Sequence, residues 1–349
     1  GVAGNLSGNK IPGVSIIVTW ESEPEGLESF LADFHLANTH PLVELIVVTS
    51  PAAGRVLQPV FENPDQPDTL MIELENNGSR AFRRNLGADN AVCPYLCFID
   101  GIDSYGADAL PGIVERFEKD PLRGAAGVPL APAGPARDEA GKDGLVFGVR
   151  FSREGEIGNF IPVPISAGEV QEFQFDAGKV EPGLYPPALS EQFLFCRKKD
   201  FSLLNGFSED YRVAMEGVDL CLRIRANLHK QCWCMDDCTL EAGIFGKPGQ
   251  ETGGTAGSEE HDLRVFRRKW DSYLRFNYRE QEIQSAPRAP ETKYVWARGC
   301  PDLTGREVCL FAAYVPHGRL SRSQARYLNA LREEGLTVVL AAAVDRFDA

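Results

Sequence analysis

Residues 13–48 read GVSIIVTWESEPEGLESFLADFHLANTHPLVELIVV. Val14 to Val18 is an unbroken apolar, β-branched run bounded by Gly13 and by the polar stretch from Glu21. That pattern suits a strand buried on both faces of a parallel sheet. Leu27, Phe30, Leu31 and Phe34 then recur at i, i+3, i+4 and i+7, one stripe of an amphipathic helix. Leu45–Val48 is a second buried strand. Strand, helix and strand within about 35 residues make a βαβ unit with a right-handed crossover.

The pattern continues outward. A strand is expected near Leu70–Leu74, a helix from about Arg80 to Asn90 and a strand at Tyr95–Ile99. This is the start of a doubly wound, Rossmann-like α/β domain, in which ligands bind beyond the carboxyl ends of the strands. The residues following Val18, Val48 and Ile99 are therefore the ones to examine for chemistry. From Gly124 to Pro187 the chain is rich in Gly, Pro and Ala, with short strand-like pieces such as Leu145–Phe151. Helical patterning returns at Lys198–Leu204 and Val218–Leu228, and again at Leu263, Phe266, Trp270 and Leu274.

A stretch with three prolines and no sustained periodicity, residues 283–305, reads as a linker between a first domain at 1–282 and a second α/β unit at 306–349. In the latter, Val308–Tyr314 is a strand, Gln324, Tyr327, Leu328 and Leu331 mark a helix face, and Leu336–Ala342 is another buried strand. This partial βαβ unit stops before a sheet can close, so the chain reads as a fragment of a longer protein.

The 349 residues contain 36 Lys and Arg against 50 Asp and Glu, a formal charge of −14. That balance lacks the clustered basic residues a nucleic-acid surface needs. No apolar run reaches the roughly 20 residues that span a bilayer, and no signal-peptide pattern opens the chain. The expected location is cytoplasmic, with the inner face of the membrane as a variant of it. Nine cysteines, several inside apolar runs, read as reduced and buried. Cys232, Cys234 and Cys238 cluster without a common zinc spacing.

Read together, four segments resemble the family-2, nucleotide-sugar-dependent glycosyltransferases with the GT-A fold. They are Val14-Ser-Ile-Ile-Val-Thr-Trp-Glu-Ser22, Glu44-Leu-Ile-Val-Val-Thr-Ser50, Asn77-Gly-Ser-Arg-Ala-Phe-Arg-Arg-Asn-Leu-Gly87, and Leu204-Asn-Gly-Phe-Ser-Glu-Asp-Tyr211 followed by Glu216-Gly-Val-Asp-Leu-Cys-Leu-Arg223. The resemblance implies a mixed sheet with helices on both faces. It also implies transfer of a hexosyl or deoxyhexosyl unit from a nucleoside diphosphate sugar to a growing bacterial surface glycan, by one inverting, metal-assisted displacement. It places nucleotide-sugar contacts at Thr19, Glu21, Thr49, Arg84 and Asp100. A tail containing Val308-Cys-Leu-Phe-Ala-Ala-Tyr314, His317-Gly-Arg and Tyr327-Leu-Asn-Ala-Leu-Arg332 resembles the opening of the rhamnan-synthesis family.

Glycosyl transfer needs a cation for the departing diphosphate and a carboxylate for the acceptor's proton. Where the family places an Asp-x-Asp motif for Mn²⁺ or Mg²⁺, this chain has Asp100-Gly-Ile-Asp103. The wider spacing lets both acids share an ion only through a bulged turn, which Gly101 eases. Where the family has Glu-Asp, its Asp being the base, the chain has Glu216-Gly217. Glu216 or Asp219, neighbours on a first helical turn, are the substitutes. Thr49 stands where an Asp would receive the nucleotide base, and no His occupies Leu240-Glu-Ala-Gly-Ile-Phe-Gly246. These departures define the alternative: a non-catalytic GT-A domain serving as scaffold or glycan-binding module.

Overall fold

The computed structural model describes residues 11–20, 24–61, 69–75, 78–132, 144–153, 160–167, 169, 184–242, 256–277, 308–314 and 337–343. The chain divides into two compact units, Gly1–Ser272 with Glu280–Ala286, and Tyr273–Arg279 with Pro287–Ala349.

The first unit is built on a seven-stranded sheet ordered β11-β6-β10-β4-β1-β2-β3. Its strands are β1 (Val14–Trp20), β2 (Val43–Thr49), β3 (Thr69–Glu73), β4 (Tyr95–Ile99), β6 (Arg123–Gly127), β10 (Phe193–Arg197) and β11 (Gln231–Cys234). β1, β2, β3 and β4 are parallel, as their apolar runs predict. β10 enters antiparallel between β4 and β6, and β11 runs parallel to β6. All five residues of β4 are buried, the signature of a strand covered on both faces.

Helices α1 (Pro24–Ala37), α2 (Pro51–Phe61), α3 (Arg80–Asn90) and α4 (Leu110–Lys119) follow the successive strands, and α5 (Lys198–Leu203), α6 (Glu216–Leu228) and α7 (Ala256–Asn277) complete the covering. The predicted stripe of α1 is buried at Leu27, Phe30, Leu31 and Phe34. Helix α3 is capped by Ser79, whose side chain accepts from the Phe82 N–H. Gly87 lets this helix lie close on the sheet, since a Cβ there would stand 2.6 Å from Ile17 Cγ2.

The Gly-, Pro- and Ala-rich stretch from Gly124 supplies three strands of a second sheet, ordered β5-β12-β7-β8-β9. Its strands are β5 (Ile102–Ser104), β7 (Leu130–Pro132), β8 (Val146–Arg153), β9 (Phe160–Ser166) and β12 (Leu240–Ala242). In the second unit β13 (Val308–Tyr314) and β14 (Thr337–Ala343) pair in parallel. The helix expected between them lies outside the described residues, as do the segment read as a linker and His317.

Candidate active site

Asp100 leaves the carboxyl end of β4, and its N–H donates to the Gln192 carbonyl at 2.9 Å, which extends the β4–β10 ladder by one step. Because β10 is antiparallel, the residues leading into it arrive at the same edge where β4 ends. Gly101 then turns the chain with φ +61, a left-handed conformation that glycine adopts without steric cost.

Helix α3 aims two arginines, one turn apart, at this edge. The Arg84 guanidinium donates to Asp100 Oδ2 at 3.1 Å, to Glu216 Oε1 at 3.3 Å and to the Glu191 carbonyl at 2.9 Å. Arg80 donates to Asp100 Oδ2 at 3.3 Å, to Glu216 at 2.5 and 3.0 Å, and to Glu191 Oε2. Two guanidiniums thus bind three carboxylates drawn from β4, the β10 lead-in and the first turn of α6. Arg84 is buried to 1% exposure, whereas Arg80 keeps 16% of its side chain at the surface.

The two glutamates are driven apart in acidity. Burial alone would raise Glu216, but Arg80 and Arg84 outweigh it and hold this carboxyl below its ordinary value. Burial and the neighbouring charge of Glu216 raise Glu191 above its ordinary value despite the arginines. Burial opposes the charge of Arg80, yet Glu216, Glu191 and Asp100 outweigh it and keep that guanidinium firmly ionised.

Two further contacts fix the frame. The Asn85 side-chain amide exchanges hydrogen bonds with the Phe207 backbone, 2.9 Å to its carbonyl and 2.8 Å from its N–H, tying α3 to the turn at Asn205–Gly206. Asp262 on α7 accepts the backbone N–H groups of Arg212, Val213 and Ala214 at 2.8–3.0 Å, and this holds the segment that delivers Glu216.

Of the residues expected from sequence, Asp100, Arg84 and Glu216 converge. Asp219 does not join them: it is fully buried and accepts from Trp270 Nε1 at 2.8 Å, the Tyr211 hydroxyl at 3.2 Å and Arg223 Nε at 2.7 Å. Thr49 is buried as well, its hydroxyl donating to the Trp20 carbonyl at 2.6 Å. Thr19 is half-buried at the end of β1. Glu21 lies outside the described residues, and Asp103 is placed in β5 with its side chain undescribed.

Of the two acids expected to hold a metal, Asp100 is engaged by arginines and the Asp103 side chain lies outside the described residues. Asp100 Oδ2 is shared by two guanidiniums, and among the described residues no group of three His, Cys, Asp or Glu side chains could hold an ion. The cations paired directly with Asp100 at this edge are Arg80 and Arg84, with Arg83 also within reach of its charge. Sequence reasoning missed Arg80 and Glu191. The i, i+4 spacing of Arg80 with Arg84 was the readable signal for the first, whereas Glu191 needs the direction of β10, which no local pattern encodes. A cavity of about 600 Å³ lined by Pro12, His40, Pro111 and Glu118 lies by the amino end of β1, away from this cluster.

No protein-family profile matches the chain. Over 121 residues it is 22% identical to the poly-β-1,6-N-acetyl-D-glucosamine synthase of Staphylococcus aureus (strain COL), a match covering 35% of this chain and 29% of that relative. Among solved structures it resembles GalNAc-T7 with UDP, GalNAc and Mn²⁺, with a TM-score of 0.57 and 13% identity, over 80% of this chain and 52% of that one. It also resembles S. aureus TarS 1–349 in complex with UDP-GlcNAc, with a TM-score of 0.50 and 14% identity, over 78% and 69%. The fold is that of the GT-A glycosyltransferases. In this GT-A frame the arginine–carboxylate cluster sits at the carboxyl edge of the parallel strands, where α/β sheets bind ligands. No described helix is long and apolar enough to cross a membrane.

Proposed function

We propose that this chain carries a glycosyltransferase domain that moves a sugar from a nucleoside diphosphate sugar to a growing bacterial surface glycan, with inversion at the anomeric carbon. The observation that carries this reading is the convergence of Asp100, Arg80 and Arg84 with two glutamates at the strand edge of a GT-A fold. Such an edge needs cations for a diphosphate and a carboxylate for an incoming hydroxyl. Arg80, the more exposed guanidinium, faces the departing phosphates. Glu216 holds it in place as a fixed counter-charge, and Arg84 in turn fixes Glu216 and Asp100. Thr19 borders the nucleotide at the end of β1, while the Thr49 side chain bonds inward to the Trp20 carbonyl and supports that strand end. The boundaries 1–282 and 306–349 belong to the same proposal, with the tail opening a second α/β unit of a multidomain polysaccharide-assembly protein.

A non-catalytic reading, in which the domain only binds glycan, is favoured by Gly217 and by the closed pairing of Glu216. One experiment separates the two. Thermal shift and calorimetry with UDP-GlcNAc, UDP-glucose, UDP-galactose and GDP-mannose, each with and without Mn²⁺, should reveal a donor that binds wild type and is lost in Asp100→Ala. Nucleoside diphosphate release from that donor, with acceptor oligosaccharide added, identifies an enzyme. Binding without release identifies the scaffold, and no binding by any donor refutes the nucleotide-sugar reading.

A further inference from the structure

The volume that a side chain at position 217 would need is already filled. A Cβ built on Gly217 would stand 2.8 Å from Glu191 Cγ and 3.4 Å from Glu191 Cβ. The Gly217 N–H donates to Glu191 Oε1 at 3.1 Å. Helix α6 and the β10 lead-in therefore approach too closely for an acid at 217 unless Glu191 moves. The methylene groups of Glu191 fill that space, and its carboxylate stands beside it on the Gly217 backbone. Glu191 keeps 16% of its side chain exposed, against 1% for Glu216, so of these two facing acids it is the one that solvent reaches.

We propose that Glu191 is the general base of this domain, its carboxylate standing beside the position at which Gly217 carries no acid. The inference rests on the glycosyl-transfer reading above. As the acceptor oxygen bonds to the anomeric carbon, its proton passes to a Glu191 carboxylate oxygen. The bond from that carbon to the diphosphate oxygen breaks, and its electron pair leaves with the nucleoside diphosphate. The proton is then released to solvent from the exposed side of Glu191.

The charged groups around Glu191 suit this role. Arg80 and Arg84 face it from α3, Glu216 from α6 and Tyr211 from the segment before α6, while Asp100 shares Arg80 with it. Glu216 is held ionised by the arginines, which leaves Glu191 as the member of the pair that takes up a proton, and burial raises its affinity for one. Two neighbouring carboxyls whose acidities are pushed apart are a recurring mark of a divided acid–base task.

The test compares wild type with Glu191→Gln, Glu191→Asp, Gly217→Asp and the exchange variant Glu191→Gly/Gly217→Asp, using the four sugar nucleotides above as probes. Glu191→Gln preserves the shape and the acceptor for the Gly217 N–H. It should lower kcat by about 10²–10⁴-fold while donor Kd changes less than about threefold. The acidic limb of the wild-type kcat/KM profile should disappear with it, and Glu191→Asp should retain measurable turnover. The exchange variant should exceed both Glu191→Gln and Gly217→Asp by at least about tenfold, because removing the Glu191 side chain frees the space for a carboxylate at 217. A role confined to packing would move neither the pH limb nor the exchange result. Turnover by Glu191→Gln equal to wild type overturns this inference alone. A wild type that binds a donor without turning it over, or binds none, overturns the enzyme reading and this inference with it.

Discussion

Replacing Asp219 with alanine is the sharpest probe of what the first turn of α6 does. The Asp219 carboxylate is fully buried and satisfies the Trp270 indole, the Tyr211 hydroxyl and the Arg223 guanidinium. Orphaning two buried neutral donors costs about 1–3 kcal/mol each. Arg223 keeps 17% of its side chain exposed, so its loss is discounted to about 1 kcal/mol by solvent screening. Asp219→Ala should therefore destabilise the domain by about 3–7 kcal/mol, subject to non-additivity among contacting groups. Asp219→Asn keeps one acceptor oxygen and should lose about half of that. Urea unfolding, read as the midpoint at constant slope, measures both. A loss below about 1 kcal/mol for the alanine variant would refute the structural role. So would an Asp219→Asn protein that keeps its midpoint and loses all turnover, which would move the base to Asp219.

Gly87→Ala pushes a methyl to 2.6 Å from Ile17 Cγ2 and 3.4 Å from Val48 Cγ2, so α3 must lift from β1, at about 1–3 kcal/mol in thermal unfolding; an unchanged Tm would show that the helix has room to shift. The pH dependence of stability should differ between wild type and Glu191→Gln. Glu191 binds its proton more tightly folded than unfolded, so its contribution is complete below the ordinary Glu value of about 4.3 and is lost as pH rises toward the raised folded value. Glu216 has the opposite sign, its contribution being present above that value and lost in acid. The difference in Tm between the two proteins should consequently change above about pH 4.3, and a flat difference would remove the raised acidity of Glu191.

The parallel core was legible because β1, β2 and β4 are apolar runs of strand length, and because α1 carries a clean 3.6-residue stripe. Asp100 was legible as the residue at a strand end, and its role and that of Arg84 came from the resemblance of their segments to the glycosyltransferase family. The second sheet was not, since β5, β7 and β12 have three residues each, β8 and β9 are interrupted by Gly and Pro, and β5 pairs with β12 across more than a hundred residues. Thr49 and Asp219 stand at positions the family resemblance marked, yet their side chains bond inward to Trp20 and to Trp270. Burial of that kind depends on partners distant in sequence, which spacing within one segment cannot reveal.

The reversed direction of β10 also changes how such a site can vary over time. In an all-parallel sheet each strand offers the ligand edge only the residues that follow it. Here the edge is fed twice at one point, once by the chain leaving β4 and once by the chain about to enter β10, with the tip of α6 against both. A reactive group lost from one of these carriers can be supplied by another without moving the backbone, so the address of the group in space outlasts its address in the sequence.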